Sequence, residues 1–252
     1  MEIIDIRSWD AFEKALSHFY IYWNDLKQKK HPMTVSTPVF RGQSDASWKL
    51  QTTLERFSNR TFKEVDYYRT IRAVRPAVVS LTQKEWNLPD FEEGRIVPVP
   101  TGYEFMVYLR HHGFPSPLLD WTRSPYVAAF FAFRSPQVLA HERVSIYSYV
   151  EYPGEGKGYQ LGSPVVHGLG PYVETHKRHY AQQCEYTVCV KEFEDKFEYC
   201  SHEAAFSDST SDQGELRKYT LPASERRNVL KQLQRMNVTA FSLFGSEESL
   251  ME

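Results

Sequence analysis

The chain has 252 residues, enough for one large domain or two small ones. Hydrophobic residues make up 41% and charged residues 25% of it, so an ordinary soluble fold is expected. The net charge of −2 excludes the overall positive charge that is typical of nucleic-acid-binding proteins. It does not exclude a local basic groove.

In the N-terminal half, predicted helices surround one short strand. Apolar residues at intervals of three and four predict a helix over residues 9–29, and VFRGQ predicts a strand that ends at Gly42. A second helix is predicted for residues 63–80, and Pro76 should end or kink it. YEFMVYLRHH predicts a further helix, which Gly113 should stop.

The C-terminal half is richer in strands. SPYVAAFFAFR predicts a helix with Ser124 as its cap and Pro125 in its first turn. RVSIYSYV, EYTVCVKEF, LRKYTL and VTAFSLF predict strands, with a helix over residues 224–236 before the last of them. This pattern predicts an α+β fold, with a mixed or antiparallel sheet and flanking helices. A doubly wound sheet is disfavoured because regular strand–helix units with a GxGxxG turn are missing.

The sequence predicts a cytoplasmic protein. Cys184, Cys189 and Cys200 are an odd set without CxxC spacing, which argues against a disulfide scaffold. The first residues, MEIIDIRSWDAF, lack the basic and apolar regions of a secretory signal. The longest apolar run, YVAAFFAF, has about a third of the length that a membrane-spanning helix requires. We therefore expect no membrane partner.

Arg41 is the first candidate site residue. It follows an apolar strand and directly precedes Gly42 in FRGQSDASWKLQTTLER. A guanidinium suits phosphate or carboxylate, and glycine lets a ligand approach the backbone closely. An equally favoured alternative is that Arg41 pairs with an internal carboxylate, for which Asp120 is a candidate.

Asp120 is the second candidate, because it lies between Leu119 and Trp121. Carboxylates are rarely found in such apolar surroundings unless they are paired, so we expect Asp120 to be buried and hydrogen-bonded. A cap or a buried ion pair is favoured over a catalytic acid. Thr122 and Ser124 follow at a strand-to-helix turn, where hydroxyls and backbone N–H groups either bind an anion or simply cap the helix.

Histidines and one cysteine raise the question of a metal. His111 and His112 end a predicted helix, where a positive ring complements the helix dipole. His176, His179 and Cys184 form a conceivable zinc set, but no second pair of ligands has suitable spacing. We therefore predict no metal site.

The late stretch QQCEYTV contains Gln182, Gln183 and Glu185 just before a predicted strand. Amides and a carboxylate in such a place could bind ribose hydroxyls. An exposed strand start is the favoured alternative when these residues are considered alone.

Taken together, three blocks resemble the FRG domain, a bacterial family named for its Phe-Arg-Gly motif. The blocks are FRGQSDASWKLQTTLER from Phe40, LRHHGFPSPLLDWTRSPYVAAFFAF from Leu109 and HKRHYAQQCEYTV from His176, and NVTAFSLFGSEESL resembles the usual ending. The resemblance covers most of the chain beyond residue 35. It implies a single domain over residues 1–252, with the N-terminal helix at 9–29 and a motif-bearing core at about 35–252.

The order of these features in turn resembles ADP-ribosyltransferases of the Arg–Ser–Glu type. Such enzymes place an arginine on an early strand in an aromatic-Arg-Gly context, then a Ser/Thr-rich strand end, then a late Gln-x-Glu. The corresponding residues are Phe40, Arg41, Gly42, Thr122, Ser124, Gln183 and Glu185. DWTRS departs from Ser-Thr-Ser, the late block of the FRG family reads more like Gln-x-Gly-x-Phe, and Glu247 is an alternative late acid.

This resemblance implies an ADP-ribosyltransferase-like fold and a site for NAD. Arg41 would hold the NAD phosphates, and Glu185 would bind the nicotinamide ribose and stabilise positive charge as the glycosidic bond breaks, with Thr122 beside it. The other implied NAD-binding residues are Phe40, Gly42, His112, Asp120, Trp121, Ser124 and Gln183. Phe40 or Trp121 would stack on nicotinamide or pack the pocket wall.

The implied activity is transfer of ADP-ribose from NAD to a macromolecular acceptor, either protein or nucleic acid. A bacterial toxin or anti-phage effector, with a possible antitoxin partner, is the role that the resemblance implies. NAD hydrolysis without an acceptor and a nuclease are further enzymatic alternatives, although no carboxylate cluster with metal spacing supports the nuclease. The non-enzymatic alternative is an FRG binding module in which Arg41 and Asp120 are structural.

Overall fold

The strands of this chain join into one mixed sheet. A computed structural model describes residues 1–58, 60–92, 99–140, 142–158, 162–193, 196–208 and 212–251. The strands are β1 (Glu2–Asp5), β2 (Val39–Gln43), β3 (Leu118–Thr122), β4 (Arg143–Val150), β5 (Val165–Gly168), β6 (Cys184–Phe193), β7 (Lys196–Tyr199) and β8 (Glu215–Pro222).

Over the described ranges, the strand order is β1–β8–β4–β2–β3–β6–β5. The strand β7 lies outside this order and pairs with β6. The pair β1–β8 is parallel, and the other pairs are antiparallel. The prediction of an α+β fold with a mixed sheet and flanking helices is therefore confirmed.

Seven of the described helices lie between strands in the chain, and the last two follow β8. They are α1 (Trp9–Lys29), α2 (Thr53–Phe57), α3 (Glu64–Thr82), α4 (Tyr103–His111), α5 (Pro125–Phe133), α6 (Lys177–Ala181), α7 (His202–Ser207), α8 (Arg226–Arg235) and α9 (Ala240–Phe244). No helix in the described ranges combines the length and the apolar content that crossing a membrane requires.

Two groups of helices share one face of the sheet. Phe40 of β2 packs with α1, α5 and α8, whereas Leu118 of β3 packs with α3 and α4. Phe40 is directly paired with Thr122, and side chains alternate along a strand, so Phe40, Thr122 and Leu118 point to the same side. Leu119 and Trp121 point to the opposite face, where they form a third apolar cluster.

The sheet opens between β2 and β3. These two strands are paired only at Phe40 and Thr122. By contrast, β2 pairs with β4 over its full length from Val39 to Gln43, and β3 pairs with β6 over its full length from Leu118 to Thr122. Beyond the Phe40–Thr122 pair, β2 and β3 therefore diverge, and their backbones are no longer paired with each other.

Several predicted elements are confirmed within one or two residues. They are the helix at 9–29, the strand VFRGQ, the helix stopped by Gly113, the helix capped by Ser124, the strands β4, β6 and β8, and the helix α8. Gly113 adopts φ 83°, the left-handed conformation that a glycine after a helix supplies. Ser124 accepts a hydrogen bond from the Val127 N–H at 3.3 Å, as a cap does.

The helix predicted for residues 63–80 is also confirmed as α3, but Pro76 does not end it, because Val78 and Val79 beyond the proline still pack on apolar residues. One predicted strand is wrong. VTAFSLF forms the short helix α9, because Thr239 accepts from the Ser242 N–H at 3.2 Å and so starts a helix where β-branched residues suggested a strand. The parallel strand β1 was not predicted.

Candidate functional site

A cavity of about 240 Å³ lies where β2 and β3 diverge. Its walls come from β2, β3, the loop and helix that follow β2, one side of α5, and the residues just before β6. Three charged side chains line it: Arg41, Arg56 and Asp120. We refer to this space as the arginine cavity.

Asp120 is held by two arginines. Arg41 donates from Nη1 to the carboxylate of Asp120 and, at 2.8 Å, to the backbone carbonyl oxygen of the same residue. Arg110, from the end of α4, donates to the same carboxylate and, at 3.2 Å, to Thr53 Oγ1. The internal pairing of Arg41 with Asp120, one of the two alternatives left open by the sequence, is therefore what the structure contains.

The expectation that Asp120 is buried is wrong in one respect. The side chains of Arg41 and Arg110 are only 13% and 11% exposed, but that of Asp120 is 45% exposed. The reason is the divergence of β2 and β3, which leaves one side of the carboxylate facing the arginine cavity. Burial alone would raise the pKa of Asp120, but the Arg110 and Arg41 guanidiniums hold that pKa well below its usual range.

The arginine cavity carries excess positive charge. Arg56 stands at its edge, and no carboxylate of the described residues forms a salt bridge with it. Partial burial and the nearby charges of Arg41 and Arg110 lower the pKa of Arg56. The buried Nε of Arg41 also has no hydrogen-bond partner in the described structure. Three guanidiniums around one carboxylate create a place where an added anion is stabilised.

The hydroxyls of Thr122 and Ser124 already have partners within the chain. Thr122 Oγ1 donates to the Gln182 carbonyl oxygen at 2.7 Å and accepts from the Ser124 N–H at 3.1 Å. Of the two roles considered, anion binding and capping, the contacts of Ser124 show capping of α5. Thr122 connects β3 to the residues just before β6.

Gly42 has a packing role that the sequence did not reveal. A Cβ atom at this position would lie 1.9 Å from the carbonyl oxygen of Ala128 on α5. The glycine therefore admits a helix backbone close to β2, and it also lines the arginine cavity. Phe40 is fully buried against Phe19, so it forms part of the core behind the cavity and is not available to stack on a ring.

Trp121 is also part of the core. It is 2% exposed, and its Nε1 donates to Thr187 Oγ1 at 2.9 Å on the face opposite to α5. Of the two roles considered for Trp121, packing of a wall fits this burial, whereas stacking on nicotinamide does not.

Glu185 faces a different cavity. Register pairs Glu185 with Trp121 and Tyr186 with Asp120, so Glu185 and Asp120 point to opposite faces of the β3–β6 pair. Glu185 lines a second cavity of about 310 Å³, where its carboxylate pairs with Arg123. The expectation of one pocket lined by Arg41, Thr122 and Glu185 therefore does not hold in this structure, although Trp121 borders both cavities.

The remaining candidates lie outside both cavities. Gln183 is an exposed residue with φ 50°, and its carbonyl oxygen accepts from the Arg123 N–H at 3.0 Å. His112 is exposed at the end of α4, with its ring 4.4 Å from that of Tyr108 between centroids. Glu247, the alternative late acid, is exposed near the C-terminus.

Arg56 and Gln182, which line the cavity, and Arg110, which pairs with Asp120, were not predicted as site residues from the sequence. Arg110 looked like an ordinary charge at a helix end, Arg56 carried no signal of its own, and Gln182 was passed over in favour of Gln183. The one usable signal was Arg110 itself, because it follows the mostly apolar run FMVYL and so was placed to turn inward.

Comparison with known protein families supports the FRG resemblance. Residues 36–140, less than half of the chain, match the family model of the FRG domain. Arg41, Arg56, Arg110 and Asp120 all lie inside the matched range, whereas Glu185 lies outside it. Searches of curated proteins and of solved structures found no match.

Proposed function

We propose that this protein binds NAD through the arginine cavity and transfers ADP-ribose to a macromolecular acceptor. The observation that carries the proposal is the charge at the cavity: Arg41 and Arg56 line it together with Asp120, and Arg110 pairs with Asp120 from the end of α4. A diphosphate supplies the negative charge that this arrangement lacks, and guanidiniums suit its oxygens geometrically. A volume of about 240 Å³ accommodates part of a dinucleotide and leaves the rest at the opening.

The neighbouring strands support the resemblance to ADP-ribosyltransferases. Arg41 lies on β2, Thr122 on β3 and Glu185 on β6, and these three strands are adjacent in the sheet. An ADP-ribosyltransferase-like fold is part of the proposal. Because Arg41 and Glu185 border different cavities that share Trp121, the proposal requires a bound NAD to contact both.

Glu185 is the carboxylate that we assign to the chemical step. Breaking the bond between nicotinamide and ribose creates oxocarbenium character, which a nearby carboxylate stabilises. Asp120 is committed to two buried guanidiniums. Among the residues that the structure describes, Glu185 pairs with Arg123, whose side chain is 43% exposed and can turn away when a substrate enters. Glu185 is therefore the freer negative charge.

A variant of Arg56 provides the cleanest test, because this arginine is charged and forms no salt bridge with a carboxylate in the described part of the chain. Arg56→Gln should fold with unchanged stability and bind NAD at least about tenfold more weakly in calorimetry, a loss of ~1.4 kcal/mol. Arg227→Gln is the matched control, since Arg227 is an exposed arginine on α8 away from the cavity. Equal NAD affinity of Arg56→Gln and wild type would show that NAD does not bind in the arginine cavity.

Activity is tested by release of nicotinamide from labelled NAD, with cell lysate as the source of protein and nucleic-acid acceptors. Transfer of label to macromolecules is the expected result. Release without transfer would indicate NAD hydrolysis. A toxin or anti-phage effector acting in the cytoplasm should also arrest growth when expressed, and an antitoxin partner would relieve that arrest.

A non-catalytic binding module is the second candidate. The observation in its favour is that Arg41 and Arg110 already have an internal partner in Asp120, so their charges help to hold β2, β3 and α4 together. This candidate predicts no nicotinamide release by wild type and no effect of Arg56→Gln on NAD binding. The two experiments above therefore separate it from the enzyme.

A further inference from the structure

Two histidines and a cysteine converge around the hydroxyl of Tyr186. His111 Nε2 lies 2.8 Å from Tyr186 Oη, and His179 Nδ1 lies 3.3 Å from it. Cys184 precedes Tyr186 by two residues on β6, so both side chains point to the same face. One ligand atom each from His111, His179 and Cys184 all lie within 4.8 Å of one another.

The three groups come from separate parts of the fold. His111 ends α4, His179 lies in α6, and Cys184 begins β6. His179 and Cys184 are 1% and 5% exposed, and His111 is half-buried. The set differs from the one considered in the sequence, because the fold brings His111, and not His176, beside His179 and Cys184. His176 instead accepts from the Arg178 N–H and caps α6.

The ring of His179 is already oriented for a metal. Its Nε2 lies 2.9 Å from the carbonyl oxygen of Pro171, so Nε2 carries the proton and donates it there. Nδ1 then presents its lone pair towards Tyr186, His111 and Cys184. Metal-binding histidines commonly donate their second ring nitrogen to a carbonyl or carboxylate in this way, which fixes the tautomer and the ring direction.

The cysteine of this set changes its protonation state when a metal binds. Cys184 is buried, and a cysteine binds zinc as the thiolate, so its thiol must release a proton to the solvent on binding.

We propose that His111 Nε2, His179 Nδ1 and Cys184 Sγ bind a zinc ion. Two imidazoles and one thiolate are a ligand set that zinc uses, with an oxygen or water in the fourth position. Tyr186 Oη, between the two rings, is placed to supply that oxygen. Tetrahedral zinc holds its nitrogen and sulfur ligands about 3.3–3.6 Å apart, so the ligand atoms close by roughly an ångström on binding.

The hydroxyl of Tyr186 connects the two rings. Because His179 Nδ1 accepts, Tyr186 Oη donates to it and accepts from His111 Nε2–H, and these hydrogen bonds hold the rings near the positions that zinc needs. When zinc binds, the His111 proton must move from Nε2 to Nδ1, which frees the lone pair of Nε2 for the ion. The ligand set is thus preorganised on three elements. Zinc would join α4, α6 and β6 beside the arginine cavity, whose wall includes Cys184.

Cobalt(II) is the probe for this site, because it replaces zinc and its thiolate complexes absorb light. The full chain is stripped of metal with a chelator and titrated with Co²⁺ in the absence of NAD. We expect one ion per chain, a thiolate-to-cobalt charge-transfer band, visible bands of tetrahedral intensity, and loss of all bands when Zn²⁺ is added. Absence of one-to-one binding, or binding without the thiolate band, overturns the proposal.

Matched variants locate the ligands. Cys184→Ser should abolish the thiolate band, and His179→Gln should weaken Co²⁺ binding at least tenfold. Cys200→Ser and His176→Gln should keep the band, because the other cysteine and the neighbouring histidine are not in the set. A band that survives Cys184→Ser, or that is lost in Cys200→Ser, refutes the assignment. If Cys184→Ser does not fold, His179→Gln and His111→Gln decide, and normal Co²⁺ affinity in both refutes the proposal. These measurements involve no NAD, so their outcome is independent of the proposed enzymatic activity.

Discussion

The Arg41 guanidinium binds both the carboxylate and the backbone carbonyl oxygen of Asp120, the latter at 2.8 Å. The carbonyl lies on the edge of β3 where pairing with β2 has ended. The side chain of Arg41 thus provides the hydrogen bond that a strand partner would otherwise make. The same contact keeps the cavity open, because it joins the two strands by a side chain where they have diverged.

Replacing Asp120 tests this connection. Asp120→Asn keeps the shape of the side chain but leaves the buried charges of Arg41 and Arg110 without a counter-charge. We expect the free energy of unfolding to fall by about 2–3 kcal/mol in urea denaturation, less than the loss for a fully buried pair because Asp120 is 45% exposed. Asp66→Asn is the control, since its pair with Arg69 lies on the surface and should change stability by less than about 0.5 kcal/mol.

Phosphate makes the Asp120 experiment more specific. If the arginine cavity binds anions, inorganic phosphate should stabilise Asp120→Asn more than wild type, because two guanidiniums have lost their internal partner. The measurement is the shift of the melting temperature with phosphate at constant ionic strength. Equal shifts in both proteins would show that phosphate does not enter the cavity.

The close approach of α5 to β2 gives a second prediction. Gly42→Ala places a Cβ atom 1.9 Å from the Ala128 carbonyl oxygen and 2.7 Å from the Ala132 nitrogen, both of them backbone atoms. The helix must move away from the strand, so we expect a loss of about 3 kcal/mol or more in the free energy of unfolding. Gly156→Ala, where no atom lies within 4 Å of the added Cβ, should change stability by less than about 0.5 kcal/mol. Similar stability of the two variants would contradict this packing.

How far the sequence predicts this site can be seen from Arg41, Arg110 and Glu185. Apolar neighbours indicated that Asp120 needs a partner, and Arg41 was one of the candidates named. Arg110 was not predicted as its second partner, because a charge at a helix end is usually solvated and only the packing of α4 on β3 turns it inward. The strand that carries Glu185 was predicted, but its register was not, and a shift of one residue reverses the face of every side chain.

Buried histidines make stability depend on pH. His202 is fully buried, its Nε2 lies 2.9 Å from Thr187 Oγ1, and burial lowers its pKa to about 3. The unfolded chain, with a histidine pKa near 6.5, therefore binds more protons than the folded chain between about pH 3 and 6.5. Stability should decrease as the pH falls through that window, by up to about 1.4 kcal/mol per pH unit for this residue.

Urea denaturation at pH 7 and at pH 4.5 measures this effect. Both pH values lie above the range in which Asp120 titrates, because its pKa is held well below the usual range. The loss between the two pH values should be smaller in His202→Gln than in wild type. His18→Gln, at an exposed position of α1, should lose as much as wild type does. An unchanged loss in His202→Gln would show that His202 does not dominate the acid sensitivity.

Glu185→Gln tests the chemical step of the proposed function. The change removes the negative charge and weakens the pair with Arg123, which is 43% exposed, so stability should fall by no more than about 1 kcal/mol. NAD affinity should stay close to that of wild type, because the carboxylate acts mainly on the positive charge that develops in the transition state. Nicotinamide release should fall by about 10²–10³-fold.

Glu247→Gln is the matched control, at the exposed acid near the C-terminus. If Glu185→Gln releases nicotinamide at the wild-type rate while Glu247→Gln does not, the catalytic carboxylate is Glu247. If neither variant loses release, the carboxylate belongs elsewhere, and Asp120, the acid that faces the arginine cavity, becomes the residue to replace next.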